Sequence, residues 1–281
     1  MSSRILRLRE WANPSTPAHR EVLAATTEPP PQPVTEAGGP PPVLFVPGFG
    51  QGAWVYAEHW LEHTAARGFP AYAMSLRGHG GSEPAPKAGL AEYVHDVVQV
   101  AAGLPRQAVL VGHGAGALVV AMALARYPAR AGVLVAPAFG GFGPAMAALA
   151  RNPFTGLPAI LGRARRPGRG QLFSRALPAT EALRYTARLG RAAARGQRQL
   201  AWHRGPEDPV GDPPMLIVGS PDDRLVSRPA LARVARRYAG APLLFPGMGH
   251  ALMLDAGWRE PIDAILDWLE KARVGGAGGS R

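Results

Sequence analysis

The sequence contains no cysteine. Disulfide bonds and thiolate metal sites are therefore excluded, and we predict a protein that uses neither a metal ion nor a cofactor. Lysine is scarce as well, because only Lys87 and Lys271 occur among the 31 basic residues. Arginine therefore supplies most of the positive charge behind the net charge of +11. Since no basic motif with interleaved aromatic residues is found, we do not predict a nucleic acid as a partner.

Targeting and membrane segments are also missing. The N-terminal stretch MSSRILRLREWANPS is charged throughout and lacks the apolar centre of a secretory signal. The stretch from Ala108 to Ala125 is apolar, but its three glycines and one histidine indicate a strand, a turn and a helix. We therefore predict a cytoplasmic protein without a transmembrane segment. No pattern indicates an oligomeric state.

Short apolar runs alternate with helical patterns along most of the chain. Continuous apolar strands between glycines and prolines, with helices between them, are typical of a parallel sheet covered on both faces. The pattern predicts an α/β fold with a mostly parallel, doubly wound sheet. The last helix, Pro261–Ala272, has one apolar face. The predicted strands are Val43–Gly48, Ala71–Leu76, Ala108–His113, Ala131–Pro137, Pro214–Ser220 and Ala241–Gly247.

An insertion interrupts this rhythm at residues 140–208, where the sequence is helical in pattern and carries twelve arginines against three acidic residues. We predict a helical lid over the carboxyl ends of the strands, where open α/β sheets bind ligands. The core is then divided into residues 1–139, with a linker-like Pro- and Gly-rich segment at 26–42, and residues 209–274, before a flexible tail at 275–281. The arginines form either a solvated helical face or an electropositive entrance for an anionic substrate, a carrier protein or a lipid headgroup.

Four motifs follow predicted strands in a fixed order. The segment FVPGFG, residues 45–50, ends in a glycine-bounded turn, and GHGAG, residues 112–116, joins a strand directly to a helix of small residues. Asp222 and Asp223 follow a later strand, and His250 follows the last one. An elbow, then an acid, then a histidine is the order of a catalytic triad on an α/β sheet. Either aspartate satisfies this order.

These segments together resemble the α/β-hydrolase superfamily, in particular its esterase, lipase and lysophospholipase-like members. The resemblance implies the α/β-hydrolase fold, with His250 as the catalytic histidine and Asp223, in preference to Asp222, as its acid. It also implies an oxyanion hole formed by the backbone N–H groups of Phe49 and Ala115. The segments that carry the resemblance are LREWANPS, VPGFGQGAWVY, AYAMSLRGHGGS, VLVGHGAGALVV, IVGSPDDRLVS and MGHALMLDAGW.

Two neighbours of these groups are candidate substrate contacts. Gly48 lies in the turn whose N–H groups would face a ligand, and His113 directly precedes the centre of the elbow. For His113, a structural role is the alternative to a substrate contact, and the same holds for His79. The family often carries histidine in both segments for structural reasons.

The centre of the elbow departs from the family pattern, because it is Gly114 where the family carries a nucleophile. Neither a serine acyl-enzyme nor an aspartyl ester can form there. Ser75, Ser82 and Ser220 do not lie in an elbow turn, so we do not predict a displaced nucleophile. Glycine is well suited to the unfavourable backbone dihedrals of such a turn.

Three functions fit this pattern. We favour an enzyme that acts on a small ester or other carbonyl compound through a His250–Asp223 general base and the oxyanion hole, since both an acid and a histidine are retained. Such an enzyme would either direct water at an ester or catalyse a lyase, cyclase or isomerase step. The second alternative is a non-catalytic binding relative. The third is a serine esterase or lipase whose nucleophile was replaced, leaving Gly114.

Overall fold

The computed structural model describes residues 19–26, 39–141, 157–158, 161, 163, 166–238 and 240–276. Seven strands within these residues form one sheet, and every neighbouring pair is parallel except the first two of the sheet. The strands are β1 (Val22–Ala25), β2 (Val43–Val46), β3 (Ala71–Met74), β4 (Val109–His113), β5 (Ala131–Val135), β6 (Met215–Gly219) and β7 (Leu243–Leu244). Their order in the sheet is β1-β3-β2-β4-β5-β6-β7. The predicted α/β architecture with a mostly parallel sheet is thereby confirmed.

All six predicted strands are present as β2 to β7, each somewhat shorter than its apolar run. The strand β1 was not predicted. It pairs antiparallel with β3 at the edge of the sheet, with Val22 opposite Met74. Residues 27–38 of the predicted linker at 26–42 and residues 277–281 of the predicted tail at 275–281 lie outside the described residues.

Nine helices of at least four residues lie in the described parts of the chain. None of them combines the length and the hydropathy that a bilayer span requires. Between β5 and β6, the described residues contain α5 to α7 and no strand. The helices are α1 (Trp54–Ala57), α2 (Trp60–Ala66), α3 (Leu90–Ala102), α4 (Ala115–Leu124), α5 (Arg169–Leu172), α6 (Ala179–Ala187), α7 (Ala194–Trp202), α8 (Arg228–Arg237) and α9 (Arg259–Gly276), with a 3₁₀ helix at Leu252–Leu254.

The core consists of two apolar layers, one on each face of the sheet. Successive residues of β2 alternate between them, because side chains along a strand point to opposite faces. Val43 and Phe45 belong to one layer, and Leu44 and Val46 to the other. The predicted apolar face of the last helix is confirmed, since four of its side chains are at most 2% exposed in the first layer: Ile262, Ile265, Leu266 and Leu269.

The central strand β4 determines where the functional segments meet. All five of its residues are buried, and α4, which follows it after one residue, is buried on every side except at Met122. Because β2, β4, β6 and β7 are parallel, the segments after them emerge at the same edge of the sheet. The turn after β2, the elbow, the aspartate segment and the histidine loop therefore share one edge.

Candidate active site

The elbow between β4 and α4 has a backbone conformation that glycine accepts most readily. Gly114 has φ +56° and ψ −120°, a left-handed value of φ that residues with a side chain rarely adopt. The flanking glycines are required by close packing: a Cβ atom on Gly112 would lie 2.6 Å from the carbonyl oxygen of Gly116, and a Cβ atom on Gly116 would collide with the carbonyl of Pro47. The GHGAG spacing thus follows from the tight passage of strand into helix.

His250 and Asp223 form a buried pair beside this elbow. Their atoms Nδ1 and Oδ2 are 2.8 Å apart, and the two side chains are 8% and 2% exposed. The second carboxylate oxygen of Asp223 accepts hydrogen bonds from the N–H groups of Leu225 and Val226, at 2.7 and 2.9 Å. With Nδ1 donating to Asp223, the Nε2 atom of His250 is left as a base. This atom lies 3.2 Å from the point that a Cβ atom on Gly114 would occupy.

Asp222, the other candidate acid, lies elsewhere in the same turn. Its side chain accepts a hydrogen bond from the N–H of Gly247 at 2.7 Å, and the residue is exposed. The two aspartates therefore differ in their contacts: Asp223 contacts His250, whereas Asp222 holds the turn after β7.

The electrostatics of the pair favour an ionised Asp223. Burial by itself would raise the pKa of this carboxyl group, but the charge of His250 and the hydrogen bond from its ring act against burial. Together with the N–H groups of Val226 and Leu225, they hold the pKa of Asp223 below its ordinary value. The carboxylate is thus available to stabilise a proton on His250.

The turn after β2 brings further N–H groups to the same place. The Cα atom of Gly48 lies 4.0 Å from the Cβ position of Gly114. The side chain of Gln51 braces this turn by accepting a hydrogen bond from the N–H of Gly48 at 2.9 Å. Among the described residues, no acceptor is hydrogen-bonded to the N–H of Phe49 or to that of Ala115. These are the two donors that the resemblance assigns to an oxyanion hole, and that assignment stays a prediction.

His113 lies behind this arrangement. The residue is 1% exposed, with Nδ1 at 3.0 Å from Oε1 of Gln51 and Nε2 at 3.0 Å from the carbonyl oxygen of His250. Burial, followed by the proximity of His250, lowers the pKa of His113 to about 3. A neutral imidazole has one N–H group and therefore donates to one of these oxygens at a time. A contact of His113 with substrate stays a prediction, and the observed contacts connect the histidine loop to the turn after β2.

The other histidine and the three serines considered in the sequence analysis contact neighbouring loops. His79 is 5% exposed and its ring lies 5.9 Å from the ring of Phe49. The hydroxyl groups of three buried serines have protein partners: Ser75 contacts Glu21 and the N–H of Ala53, Ser82 donates to the carbonyl of Ser75, and Ser220 donates to that of Met248.

Sequence reasoning missed two polar residues that hold the site together. One is Gln51, in the turn after β2. The other is Asp255, which is 1% exposed and whose side chain accepts a hydrogen bond from the N–H of Gly249 at 2.6 Å, directly before His250. The same carboxylate accepts hydrogen bonds from the hydroxyl and N–H groups of Ser174. The only sequence signal was the position of Asp255 shortly after His250.

Comparison with known proteins agrees with this architecture. The profile of the alpha/beta hydrolase family matches residues 43–267, and the chain therefore belongs to this family. No curated protein sequence matches the chain.

Several solved structures have a similar fold. A thermophilic esterase from Thermogutta terrifontis has a TM-score of 0.65 and 17% identity, covering 90% of this chain and 93% of the esterase. A monoacylglycerol lipase from Paleococcus ferrophilus has a TM-score of 0.66 and 20% identity, covering 90% of this chain and 98% of the lipase. An E-2-(acetamidomethylene)succinate hydrolase has a TM-score of 0.58 and 26% identity, covering 83% of this chain and 92% of that enzyme.

Proposed function

We propose that the protein hydrolyses a small carboxylic ester or related carbonyl compound, with His250 and Asp223 acting together as a general base and without a covalent intermediate. The observation that carries this proposal is the position of His250, whose Nδ1 contacts Asp223 at 2.8 Å while its Nε2 faces the elbow at Gly114. A buried histidine oriented by a carboxylate is what a general base requires. Similarity to an esterase, a lipase and a hydrolase supports hydrolysis as the reaction class.

The proposed reaction uses water as the nucleophile. As the water oxygen bonds to the carbonyl carbon, one water proton passes to Nε2 of His250 and the carbonyl electrons move onto the oxygen. The N–H groups of Phe49 and Ala115 would donate to that oxyanion. When the tetrahedral intermediate re-forms its C=O bond, the leaving alkoxide takes the proton back from Nε2. Asp223 remains ionised and stabilises the imidazolium between these two steps.

In this proposal, residues 140–208 form a lid that closes the site. Two backbone hydrogen bonds support the idea, because they join the insertion to the two loops of the site. The N–H of Gly190 donates to the carbonyl of Gly50 at 2.7 Å, and the N–H of Ala251 donates to the carbonyl of Leu172 at 2.9 Å. The arginines of the insertion favour an anionic substrate, and one similar enzyme is named as the hydrolase of a succinate derivative. A carrier-bound substrate is a further version of this proposal.

The experiment that tests the proposal compares two histidine variants on a panel of esters, lactones and amides. His250→Ala should lower the turnover of any accepted substrate by roughly 10²–10⁴-fold, the usual contribution of a positioned base. The matched control is His63→Ala, which removes another histidine paired with an aspartate, since Nε2 of His63 lies 2.7 Å from Asp263. Binding without turnover across the panel would instead support a non-catalytic binding protein.

A further inference from the structure

One cavity of the structure is lined by none of the residues of the candidate active site. Its volume is about 650 Å³, within the range of typical small-molecule pockets. The residues that line it come from the segment after β5, the end of α7 with the segment that follows it, and one side of α8. Gly114, Asp223 and His250 are not among them. The lining residues that matter here are Phe139, Trp202, His203, Arg204, Arg233 and Arg237.

Positive charge is concentrated in this lining. Arg237 already has partners within the protein, because it donates to the carbonyl of Pro206 and lies 3.3 Å from Asp208. Among the residues that the structure describes, no carboxylate forms an ion pair with Arg204 or Arg233. Two guanidinium groups are thus available to an oxyanion, which they bind with planar, paired N–H donors.

His203 adds a neutral donor beside these charges. Its Nδ1 accepts a hydrogen bond from the N–H of Gly205 at 2.9 Å, so the ring hydrogen resides on Nε2. Burial, and secondarily the charge of Arg237, lowers the pKa of His203.

Apolar surface borders the same cavity. Trp202 is a large aromatic residue that remains 47% exposed in the structure, and Phe139 and Val234 line the cavity with it. Exposed aromatic surface lies here next to two arginines that have no carboxylate partner in the described parts of the chain. This combination suits a ligand with an aromatic or apolar body and an anionic group.

We propose that this cavity is a binding site for a small anionic molecule, whose phosphate or carboxylate group is held by Arg204 and Arg233 and whose apolar body packs against Trp202. The site is independent of the chemistry proposed at His250. It adjoins the elbow through one hydrogen bond, since Ala138, between the lining residues Pro137 and Phe139, donates its N–H to the carbonyl of Gly114 at 3.0 Å.

Calorimetric titration with phenyl phosphate tests this proposal, with inorganic phosphate and phenol as half-ligands. We expect phenyl phosphate to bind more tightly than either half-ligand. The double variant Arg204→Gln/Arg233→Gln should weaken binding by roughly tenfold or more, because it removes two charge-assisted contacts. Trp202→Ala should reduce the affinity for phenyl phosphate to that for inorganic phosphate.

Two controls make the result specific. The double variant Arg228→Gln/Arg236→Gln removes the same charge from exposed positions of α8 outside the lining, and should change the affinity by less than about twofold if only general electrostatics are altered. His250→Ala should leave phenyl phosphate binding unchanged, which separates this site from the candidate active site. No binding by the unmodified protein, or equal losses in the two double variants, would overturn the proposal.

Discussion

The Nε2 atom of His250 lies 3.2 Å from the position of a Cβ atom on Gly114, closer than a ring nitrogen and a Cβ atom ordinarily approach. A side chain at the elbow would therefore require the imidazole to retreat by a few tenths of an ångström. With glycine in place, the Nε2 atom of His250 directly faces the backbone of the elbow. The nucleophile is either water or, in a variant, a side chain at the elbow. These two reactions predict different experimental results.

Introducing a hydroxyl at the elbow should create a serine esterase. Gly114→Ser places an oxygen beside His250, and we expect a gain of turnover on short p-nitrophenyl esters together with covalent labelling by a fluorophosphonate. The side chain must accept φ +56°, so the variant should also be less stable by about 1–3 kcal/mol. Gly114→Ala is the matched control, because it carries the same strain without the hydroxyl and should not be labelled. A folded serine variant that shows neither gain nor label would contradict an assembled His250–Asp223 pair.

The unmodified protein should behave differently towards the same reagents. Because Gly114 offers no nucleophile, a serine-directed phosphonate should leave native turnover unchanged, and rapid-mixing kinetics should show no burst of product. Covalent labelling of the native chain, mapped by mass spectrometry to any serine, would reveal a displaced nucleophile and refute the water mechanism.

The two neighbouring aspartates should respond differently to the same substitution. Asp223→Asn removes the acceptor that orients His250 and should lower turnover by roughly 10²–10⁴-fold. Asp222→Asn affects a carboxylate that instead accepts from the N–H of Gly247, and should change stability by about 1 kcal/mol with little effect on turnover. Steady-state kinetics on both variants provide the comparison. Similar losses in the two would show that the acid has been assigned to the wrong residue.

The buried His113 should make the protein sensitive to acid. Its pKa is about 3 in the folded chain, against 6.5 for an ordinary histidine, so the unfolded state binds the extra proton between these values. The free energy of unfolding should therefore fall as the pH decreases through this window, by up to about 1.4 kcal/mol per pH unit for one such group. His113→Gln should show a shallower dependence in urea melts from pH 7 to pH 4. Since His79 and His203 also have lowered pKa values and act in the same direction, an unchanged slope would mean that His113 is not the sensitive group.

A buried ion pair next to the turn after β3 should be important for stability. Nη2 of Arg77 lies 2.6 Å from the carboxylate of Asp96, with the side chains 8% and 0% exposed. Asp96→Asn removes the carboxylate that is hydrogen-bonded to this buried guanidinium and should cost about 3–5 kcal/mol. The exposed pair of Arg67 and Asp267 is the control, where Asp267→Asn should cost less than about 1 kcal/mol. Equal effects in chemical denaturation would contradict the burial of the first pair.

The main features of the fold could be predicted because they depend on local patterns. Apolar runs between glycines and prolines predicted β2 to β7, and parallel strands place their carboxyl ends together, so the positions of Asp223 and His250 at one edge followed. The edge strand β1 could not be predicted in this way. Its residues alternate between exposed and half-buried, and its antiparallel pairing with β3 is a long-range contact that no local pattern encodes.

The supporting residues of the candidate site were unpredictable for a related reason. Gln51 also contacts His113, and Asp255 also contacts Ser174, and these long-range contacts exist only once separate segments have met. The arginine-lined cavity is similar, because Arg204 lies in the loop before β6 and Arg233 in the helix after it. Composition indicated an excess of positive charge but not where that charge would converge.

The hydrogen bond between Gly190 and Gly50 has a consequence for how this architecture can be altered. Gly50 has φ +78°, and a Cβ atom on it would lie 2.9 Å from the carbonyl oxygen of Gly190, so the turn after β2 and the insertion are fitted to each other. We therefore expect that the segment containing Gly190 cannot be exchanged by itself. A chimaera that receives the corresponding segment of another alpha/beta hydrolase would have to inherit a matching turn around Phe49 as well, and the two segments should be transplanted together.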